Sequence, residues 1–336
     1  MKKIQYLTAI ALMTMISCQK EFMTPQPQND PEAVFESLWK SFNTDYVLFE
    51  ERHIDWNEQY DRYRHQVTSI TTDDELYSIF KQMLKSLNDG HVQMIKPHEK
   101  IYYSNIYYEE RLKDELFNLD LIKEKYLQNN YKVNGYDFNT YGWLENNIGY
   151  VHMSGTTTNW EDIDGLLDYF TKSSGVIIDL RHNSGGDFTE AFSRFGRFTR
   201  DEKLVFRSKS KNGDGPDDFT DWYDWKIQPG GKYFDKRIVV LTDRYTMSAT
   251  ERLVMAFQTL PNATTVGDTT NGSLSSKILR ELPNGWNYSL CPQKVEAFDG
   301  KYYEGIGLIP DHLILNTNQE MENGVDAALE FAMAQF

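Results

Sequence analysis

The segment KRIVVLTDRYTMSATERLVMAFQTL, residues 236–260, decides the fold and contains the first candidate functional residue. Residues 238–241 are a short apolar and largely β-branched run, which is typical of a buried strand. A polar break follows, and a helical pattern begins at Ala249 with one apolar face made of Leu253, Val254, Phe257 and Leu260. Ser248 therefore stands at a strand-to-helix turn.

Ser248 has two interpretations at this turn. Most serines at a helix start cap the helix through the hydroxyl group. A nucleophilic role is the alternative, because the free N–H groups and partial positive charge of a helix N-terminus suit an oxyanion. The turn alone does not decide between them, and the choice depends on the rest of the chain.

The neighbouring segments predict an α/β core over residues 148–336. Residues 148–153 and 175–180 are further strand-like runs, and residues 161–170 carry a helical pattern between them. The order strand, helix, strand, glycine turn, helix and strand is typical of parallel β-α-β units.

Upstream of this core, residues 32–91 predict a helical region of three helices. Thr72 and Glu75 form a capping box that opens the last of them. That helix leads into an Asp-Gly turn, so His91 emerges at a bend and can project into a cleft. Residues 92–147 form an intermediate β/α segment, with strands predicted over 92–95 and 101–108 and a helix over 109–126.

Three further features are predicted around the core. Residues 199–235 are an aromatic-rich connection, which suggests a flap packed on the body or lining a pocket. Pro283-Asn284-Gly285 predicts a hairpin, and residues 323–336 predict a final helix.

The N-terminus has the features of an export signal. Lys2 and Lys3 precede a mostly apolar segment, residues 4–16, that is too short to span a bilayer. Residues 15–18, Met-Ile-Ser-Cys, resemble a bacterial lipobox, in which the cysteine is lipidated. An ordinary signal peptide with a chance cysteine is the alternative.

We therefore expect residues 1–18 to be a lipoprotein signal peptide that ends at a lipidated Cys18. Residues 19–31 are a polar, proline-containing tether, and Gln19 is compatible with sorting to an outer membrane, so the expected location is the cell envelope. Lipidation leaves Cys291 without a partner for an intramolecular disulfide.

Composition limits the possible functions. A chain of 336 residues with 40% hydrophobic content can bury one large core or two modest ones. The formal net charge of −15 argues against nucleic acid as a partner, because phosphates are bound by Lys and Arg.

Five spaced motifs extend this interpretation: L-N-D-G-H at 87–91, G-V-I-I-D-L-R-H-N-S-G-G at 175–186, V-V-L-T-D-R-Y-T-M-S-A-T-E at 239–251, V-G-D-T-T-N-G at 266–272 and E-G-I-G-L-I-P-D at 304–311. In this order they resemble the C-terminal-processing (tail-specific) serine peptidases, specifically their tricorn-like branch. The resemblance covers roughly residues 33–335. It implies a crotonase-like fold, a parallel β-α spiral preceded by a helical region.

The resemblance also implies roles for individual residues. Ser248 would be the nucleophile and His91 the general base. The backbone N–H groups of Ala249 and of Gly185 or Gly186 would form the oxyanion hole. Glycine suits that role because no Cβ keeps a reacting carbonyl from its N–H group.

Two departures from the family pattern matter. The best-known processing peptidases pair their serine with a lysine in a T-x-G-K loop, whereas here Ser273 stands at the lysine position and Lys277 follows four residues later. His91 is therefore the expected base. The interval between His91 and residue 148 is also too short for a PDZ domain. Glu304 matches the acidic residue near the end of the tricorn-like site, or it binds backbone N–H groups at a turn.

The remaining polar residues have structural interpretations. Asp179 and Arg181 are expected to form an ion pair at a strand end. His98, His152 and His182 are expected to be surface or hydrogen-bonded residues. There is no H-E-x-x-H motif and no cysteine pair, so we expect neither a metal site nor a cofactor.

Two functional hypotheses follow. The first is an extracytoplasmic, lipid-anchored serine endopeptidase that acts on peptides or proteins through an acyl-enzyme. The second is a catalytically silent member of the same fold that binds apolar ligands or peptides, as retinoid-binding proteins of this fold do. The intact serine, histidine and glycine set favours the first hypothesis.

Overall fold

The computed structural model describes residues 28–105, 116–134 and 139–336. Its α-helices are α1 Pro31–Asp45, α2 Trp56–Tyr63, α3 Asp73–Lys85, α4 Leu119–Leu121, α5 Ile163–Tyr169, α6 Phe188–Arg194, α7 Ala249–Gln258, α8 Asn318–Glu322 and α9 Ala327–Met333. Its strands are β1 Gln93–Ile95, β2 Tyr102–Tyr103, β3 Tyr131–Asn134, β4 Asn139–Leu144, β5 Ile148–Met153, β6 Gly175–Asp179, β7 Lys203–Ser210, β8 Tyr223–Ile227, β9 Arg237–Thr242, β10 Ala263–Gly267, β11 Ile278–Glu281, β12 Asn287–Leu290, β13 Gln293–Ala297 and β14 His312–Leu313.

A central sheet of strand order β14-β10-β9-β6-β5-β4-β3 organises the molecule. The strands from β14 to β5 pair in parallel, and β4 and β3 continue the sheet in antiparallel pairing. Every residue of β6 is buried, as expected for a parallel strand covered on both faces. The α/β class and the three predicted core strands are confirmed. The loops that follow β6 and β9 lie at the same edge of this sheet, because these strands are parallel neighbours.

The three predicted N-terminal helices are present as α1, α2 and α3. Asp30, Asp55 and Thr72 accept backbone N–H groups from the first turns, and Thr72 with Glu75 forms the predicted capping box. The apolar faces of the three helices share one buried cluster with β1 and β12, which belong to a four-stranded sheet of order β11-β12-β1-β2. This packing sets the position of the loop that leaves α3 and carries His91.

The aromatic-rich connection 199–235 contains the strands β7 and β8. β7 pairs in antiparallel register with β8 and with β13. Phe206 is fully buried, and Trp225 stacks on it with ring centroids 5.8 Å apart. The connection therefore packs on the body of the protein, which is the first of the two predicted arrangements. The hairpin predicted at residues 283–285 joins β11 to β12 and is confirmed.

The final helix predicted over residues 323–336 is present as α9, Ala327–Met333, and is shorter at both ends than predicted. Gly324 has a φ of +71°, which ends α8, and Asp326 then caps the new helix α9 by accepting the Leu329 N–H. A left-handed glycine after a helix and a new aspartate cap are ordinary signals for such a break.

Other predictions fall partly or wholly outside the described residues. The predicted signal peptide and Cys18 do, as do residues 106–108 of the second predicted strand and 109–115 of the predicted helix. The described parts of those two elements are β2 and α4, and α4 continues as the π-helical turn Ile122–Tyr126. Within the described ranges, every helix is too short or too polar to cross a membrane.

Candidate active site

Ser248 occupies a strained turn between β9 and α7. Its φ is +61° and its ψ is −127°, a conformation that a residue with a Cβ adopts at a cost of about 1–3 kcal/mol. Neighbouring contacts hold the turn in place: the Met247 N–H donates to the Asn183 carbonyl at 3.1 Å. An ordinary helix cap has extended backbone angles, whereas Ser248 combines this strained conformation with capping-box contacts to Glu251, so its role as nucleophile stays a prediction.

Glu251 supports this turn from inside the protein. The Ser248 N–H donates to its carboxylate at 3.0 Å, and the Ser273 N–H, Gly272 N–H and Thr270 hydroxyl donate to it at 2.9, 2.8 and 2.6 Å. The side chain is fully buried, and burial raises its pKa while these hydrogen bonds oppose that rise. The sequence analysis missed this residue, although the S-x-x-E spacing from Ser248 is a capping-box signal.

The glycine loop after β6 lies directly against Ser248. A Cβ built on Gly185 would lie 2.7 Å from the Ser248 Cβ and 3.2 Å from its Oγ, so the backbone approaches the hydroxyl as only glycine allows. The Gly185 N–H already donates to Asn183 Oδ1 at 3.0 Å. Among the described residues, the N–H groups of Gly186 and Ala249 donate to no acceptor. Of the two candidate glycines, Gly186 is therefore the one whose N–H is available, and an oxyanion hole formed by Gly186 and Ala249 stays a prediction.

Asn183 connects the glycine loop to the turn of Ser248. Its Oδ1 also accepts the Thr250 hydroxyl at 2.6 Å, and its Nδ2 donates to the Met153 carbonyl at 2.9 Å. The side chain thus joins the end of β5, the loop after β6 and the first turn of α7. The sequence analysis placed Asn183 in a motif without giving it this role.

His91 is buried in the loop that follows α3, with the residue 4% exposed. Its backbone N–H donates to Asp89 Oδ1 at 2.8 Å, and the Nδ1 atom of its ring is buried without a hydrogen-bond partner. Burial lowers the pKa of His91 to about 4; Asp89 opposes that shift, and the cations Lys277, Arg252 and Arg52 add to it. The ring is therefore neutral at physiological pH, which is the form that a general base needs.

The structure places Ser248 and His91 on different loops and shows no hydrogen bond between them among the described residues. Hydrogen bonds between a nucleophile and its base are often long before substrate binds, so the nucleophile role of Ser248 and the base role of His91 stay predictions. For proton transfer, a ring nitrogen of His91 would have to reach the hydroxyl of Ser248.

Arg52 connects the loop of His91 to the opposite half of the chain. Its side chain is 5% exposed and donates to the Asn88 carbonyl at 2.7 Å, the Gly272 carbonyl at 3.0 Å and Glu304 Oε1 at 2.8 Å. Nothing in the local sequence pattern marks this residue, because its partners lie 36, 220 and 252 residues away along the chain.

Glu304 binds backbone N–H groups at a turn, as one of its two interpretations predicts. Its Oε2 accepts the Leu274 and Ser275 N–H groups at 3.0 and 2.9 Å, and it is 3% exposed. Burial raises the pKa of Glu304, and Arg52 opposes the rise. Among the described residues, no hydrogen bond or ion pair joins Glu304 to Ser248 or His91, so a catalytic role stays a prediction.

Ser273 stands at the position where the resemblance described above would place a lysine. Its Oγ accepts the Gly90 N–H at 3.1 Å and donates to Asn271 Oδ1 at 2.7 Å. A Cβ on Gly90 would lie 2.7 Å from that Oγ, so the two loops are in close contact. Ser273 therefore holds the loop that carries His91.

The other polar residues behave as predicted. Arg181 and Asp179 form a buried ion pair at 2.7 Å, which Asp326 extends at 2.9 Å. His152 Nε2 lies 3.1 Å from the Arg181 carbonyl, and His182 Nδ1 lies 2.6 Å from Asp243. His98 is exposed.

One grouping differs from the expectation of no metal site. Asp89, His91 and Cys291 are buried and offer ligand atoms that all lie within 4.8 Å of one another. The sequence analysis missed this cluster because Cys291 is far from the other two residues in sequence and no local spacing links them.

A cavity of about 310 Å³ opens elsewhere, at the ends of β9 and β10. Thr242, Asp243 and Gly267 line it together with apolar residues near α9. Ser248 and His91 do not line it, and neither do the residues of β7 and β8.

Comparisons with known proteins agree with this fold. Residues 147–314 match the model of peptidase family S41, and residues 27–85 match the tricorn protease C1 domain. A crystal structure of a candidate peptidase from Parabacteroides merdae has a TM-score of 0.82 and 28% sequence identity, covering 92% of this chain and 97% of that one.

Two curated relatives are processing proteases. The carboxyl-terminal-processing protease of Synechocystis sp. is 27% identical over 171 residues, which is 50% of this chain and 38% of that protein. The carboxy-terminal processing protease CtpA of Bacillus subtilis is 27% identical over 169 residues, which is 49% of this chain and 34% of that protein. The chain thus spans less than half the length of these relatives. The family model itself covers half of the chain, and the protein belongs to peptidase family S41.

Proposed function

We propose that this protein is a serine endopeptidase that hydrolyses peptide bonds through an acyl-enzyme. The observation that carries the proposal is the position of Ser248. Its hydroxyl stands on a strained turn at the start of α7, against the backbone of Gly185. Two N–H groups that donate to no acceptor among the described residues are adjacent in sequence: Gly186 follows Gly185 in the glycine loop, and Ala249 follows Ser248 in the turn.

The mechanism follows from these groups. Ser248 Oγ attacks the peptide carbonyl while the neutral ring of His91 takes the hydroxyl proton. The N–H groups of Gly186 and Ala249 stabilise the oxyanion, and the protonated His91 then gives its proton to the leaving amine. Water, deprotonated by the same ring, hydrolyses the acyl-enzyme.

The lysine-dependent mechanism is not supported by the contacts of the chain. Ser273 occupies the lysine position and binds the Gly90 N–H. His91 is neutral over the physiological pH range because burial lowers its pKa to about 4. We therefore assign the base to His91 and propose peptides or proteins as substrates, in line with the two processing proteases that the chain resembles.

The proposed location is outside the cytoplasm, at a membrane to which a lipid on Cys18 anchors the chain. The support is the sequence at residues 15–18 and the polar tether at residues 19–31. Cells grown with a radiolabelled fatty acid should incorporate label into the protein and not into the Cys18→Ala variant. Equal labelling of both proteins would contradict the anchor.

Activity-based labelling tests the peptidase proposal. The purified chain is treated with a fluorophosphonate probe and the adduct is mapped by peptide analysis. We expect the adduct on Ser248, and its loss in both Ser248→Ala and His91→Gln. Ser184→Ala is the matched control, because Ser184 is exposed on the adjacent loop and should leave labelling unchanged. A folded sample without an adduct would contradict the proposal and favour a binding protein.

A further inference from the structure

Three buried side chains of metal-binding type meet at the candidate base. A carboxylate oxygen of Asp89, a ring nitrogen of His91 and the sulfur of Cys291 all lie within 4.8 Å of one another. Oxygen, nitrogen and sulfur donors are the ligand set of zinc sites in proteins. We propose that these three residues form a site for a zinc-type divalent metal ion, and that its occupation inhibits the peptidase.

The buried ring of His91 is the second observation that points to a ligand. Its Nδ1 is buried and has no hydrogen-bond partner, a state that costs free energy in a protein interior. A cation bound by this cluster would satisfy the lone pair of a neutral imidazole. No other group among the described residues does so.

The distances allow a metal after a small adjustment. The ligand atoms of a tetrahedral zinc ion stand roughly 3.3–3.8 Å apart. The three atoms would therefore close by up to about 1.5 Å, which side-chain rotation can supply. Three protein ligands leave a fourth position for water, as in open zinc sites.

The charges also balance. The sulfur of Cys291 and a carboxylate oxygen of Asp89 lie within 4.8 Å of each other, so the two groups are already close. On binding, the S–H bond breaks, its proton leaves to solvent and a metal–sulfur bond forms without any transfer of electrons. The carboxylate and the thiolate then neutralise the dication, and the neutral ring of His91 is the third ligand.

Inhibition follows from the identity of the third ligand, and this step depends on the proposed function. A ring that is coordinated to a dication is a poor acceptor for the proton of Ser248. Metal binding itself does not depend on any catalytic role of His91. The two parts of the proposal can therefore fail separately.

Cobalt spectroscopy of the full chain tests the binding. Co²⁺ bound to a thiolate has a charge-transfer band in the near ultraviolet. We expect one equivalent of Co²⁺ to produce this band in the wild type and in Cys18→Ser, the matched control for the other cysteine of the chain. Cys291→Ser should lose it, and Cys291→Ala replaces that variant if the serine form does not fold. A wild type without the band, or a Cys291 variant that keeps it, would overturn the site.

Zinc titration tests the inhibition. Micromolar Zn²⁺ should suppress labelling of Ser248, and a chelator should restore it. Cys291→Ser should need at least tenfold more Zn²⁺, whereas His98→Gln, which removes an exposed histidine, should respond as the wild type does. Cobalt binding without zinc inhibition would overturn the inhibitory step alone. If the wild type is never labelled, the proposed function fails, and the cobalt spectrum still decides the metal site.

Discussion

The guanidinium of Arg52 lies 2.8 Å from the carboxylate of Glu304, although 252 residues separate them in sequence. The same guanidinium contacts the carbonyl groups of Asn88 and Gly272. One buried cation therefore holds together the loop of His91, the loop of Ser273 and the last of the five motifs.

Removal of this cation should destabilise the protein strongly. Arg52→Met leaves the carboxylates of Asp89 and Glu304 buried without their counter-ion, which we expect to cost about 3–5 kcal/mol of the free energy of unfolding. Urea denaturation measures the loss. The double variant Arg52→Met with Glu304→Gln should recover part of it, because one uncompensated charge is then gone. If Arg52→Met lowers the free energy of unfolding only as little as the loss of a surface ion pair does, Arg52 does not hold these loops together.

The pH dependence of catalysis should be set by the buried ring of His91. Because burial lowers its pKa to about 4, the ring stays neutral and able to accept a proton at all pH values above that. We expect kcat/KM for a peptide substrate to stay constant from neutral pH to about pH 5 and to fall below it. An acid limb near pH 6.5, the value of an exposed histidine, would show that the ring is solvated in the free enzyme.

The same shift predicts how stability depends on pH. The unfolded chain binds a proton on His91 at about pH 6.5 and the folded chain only near 4, so the contribution is complete above 6.5 and is lost as the pH falls toward 4. The loss at pH 4 is on the order of 3 kcal/mol. Urea denaturation of the wild type, His91→Gln and the control His98→Gln should show this extra acid sensitivity in the wild type and in the control. Equal slopes in all three proteins would contradict it.

A methyl group at Gly185 should damage catalysis more than stability. The Cβ would lie 2.7 Å from the Ser248 Cβ at a φ of +107°, so the turn of Ser248 has to move. Because a displacement of about 1 Å can cost roughly 100-fold in rate, we expect Gly185→Ala to lose at least that much in kcat. Gly285→Ala is the matched control: its φ is +83° and nothing lies within 4 Å of the added group. Similar kcat values for the two variants would show that close packing at Ser248 is unimportant.

The hydroxyl of Ser273 should matter for the position of His91. Ser273→Ala leaves the buried Gly90 N–H without an acceptor, which costs about 1–3 kcal/mol, and it loosens the loop of the base. We expect kcat to fall while KM stays near the wild-type value, and Ser273→Thr to restore most of the loss. Steady-state kinetics on one peptide substrate measures both parameters. A change confined to KM would instead indicate a contact with the substrate.

The local patterns were sufficient for the elements that bury an apolar face. Apolar, strand-like runs predicted the three strands at 148–153, 175–179 and 237–242. The change from such a run to a helical period predicted the turn at Ser248. The start of the final helix was predicted at residue 323, four residues too early, because the apolar period does not show that Gly324 has a left-handed backbone conformation and that Asp326 caps the helix. The sequence V-D-A-A after that glycine contains the new cap.

The supporting residues of the site were beyond local patterns. Arg52 binds partners, and Cys291 lies close to residues, that only the folded chain brings near, and neither has a spacing that would mark it. Glu251 could have been predicted from its distance to Ser248. Asn183 belongs to the motif at 175–186, but the motif does not show its hydrogen bonds. They reach three separate segments, which the pairing of parallel strands brings together.

The contacts of Arg52 have a consequence for biosynthesis. Ribosomes release the N-terminal helices and the loop of His91 well before Gly272 and Glu304 exist, so the arginine has to wait for the last fifth of the chain. Until then Arg52 cannot hold the loop of His91 against these two residues. We therefore expect a nascent polypeptide that lacks Gly272 and Glu304 to have no peptidase activity, which the release of product by truncated chains would contradict.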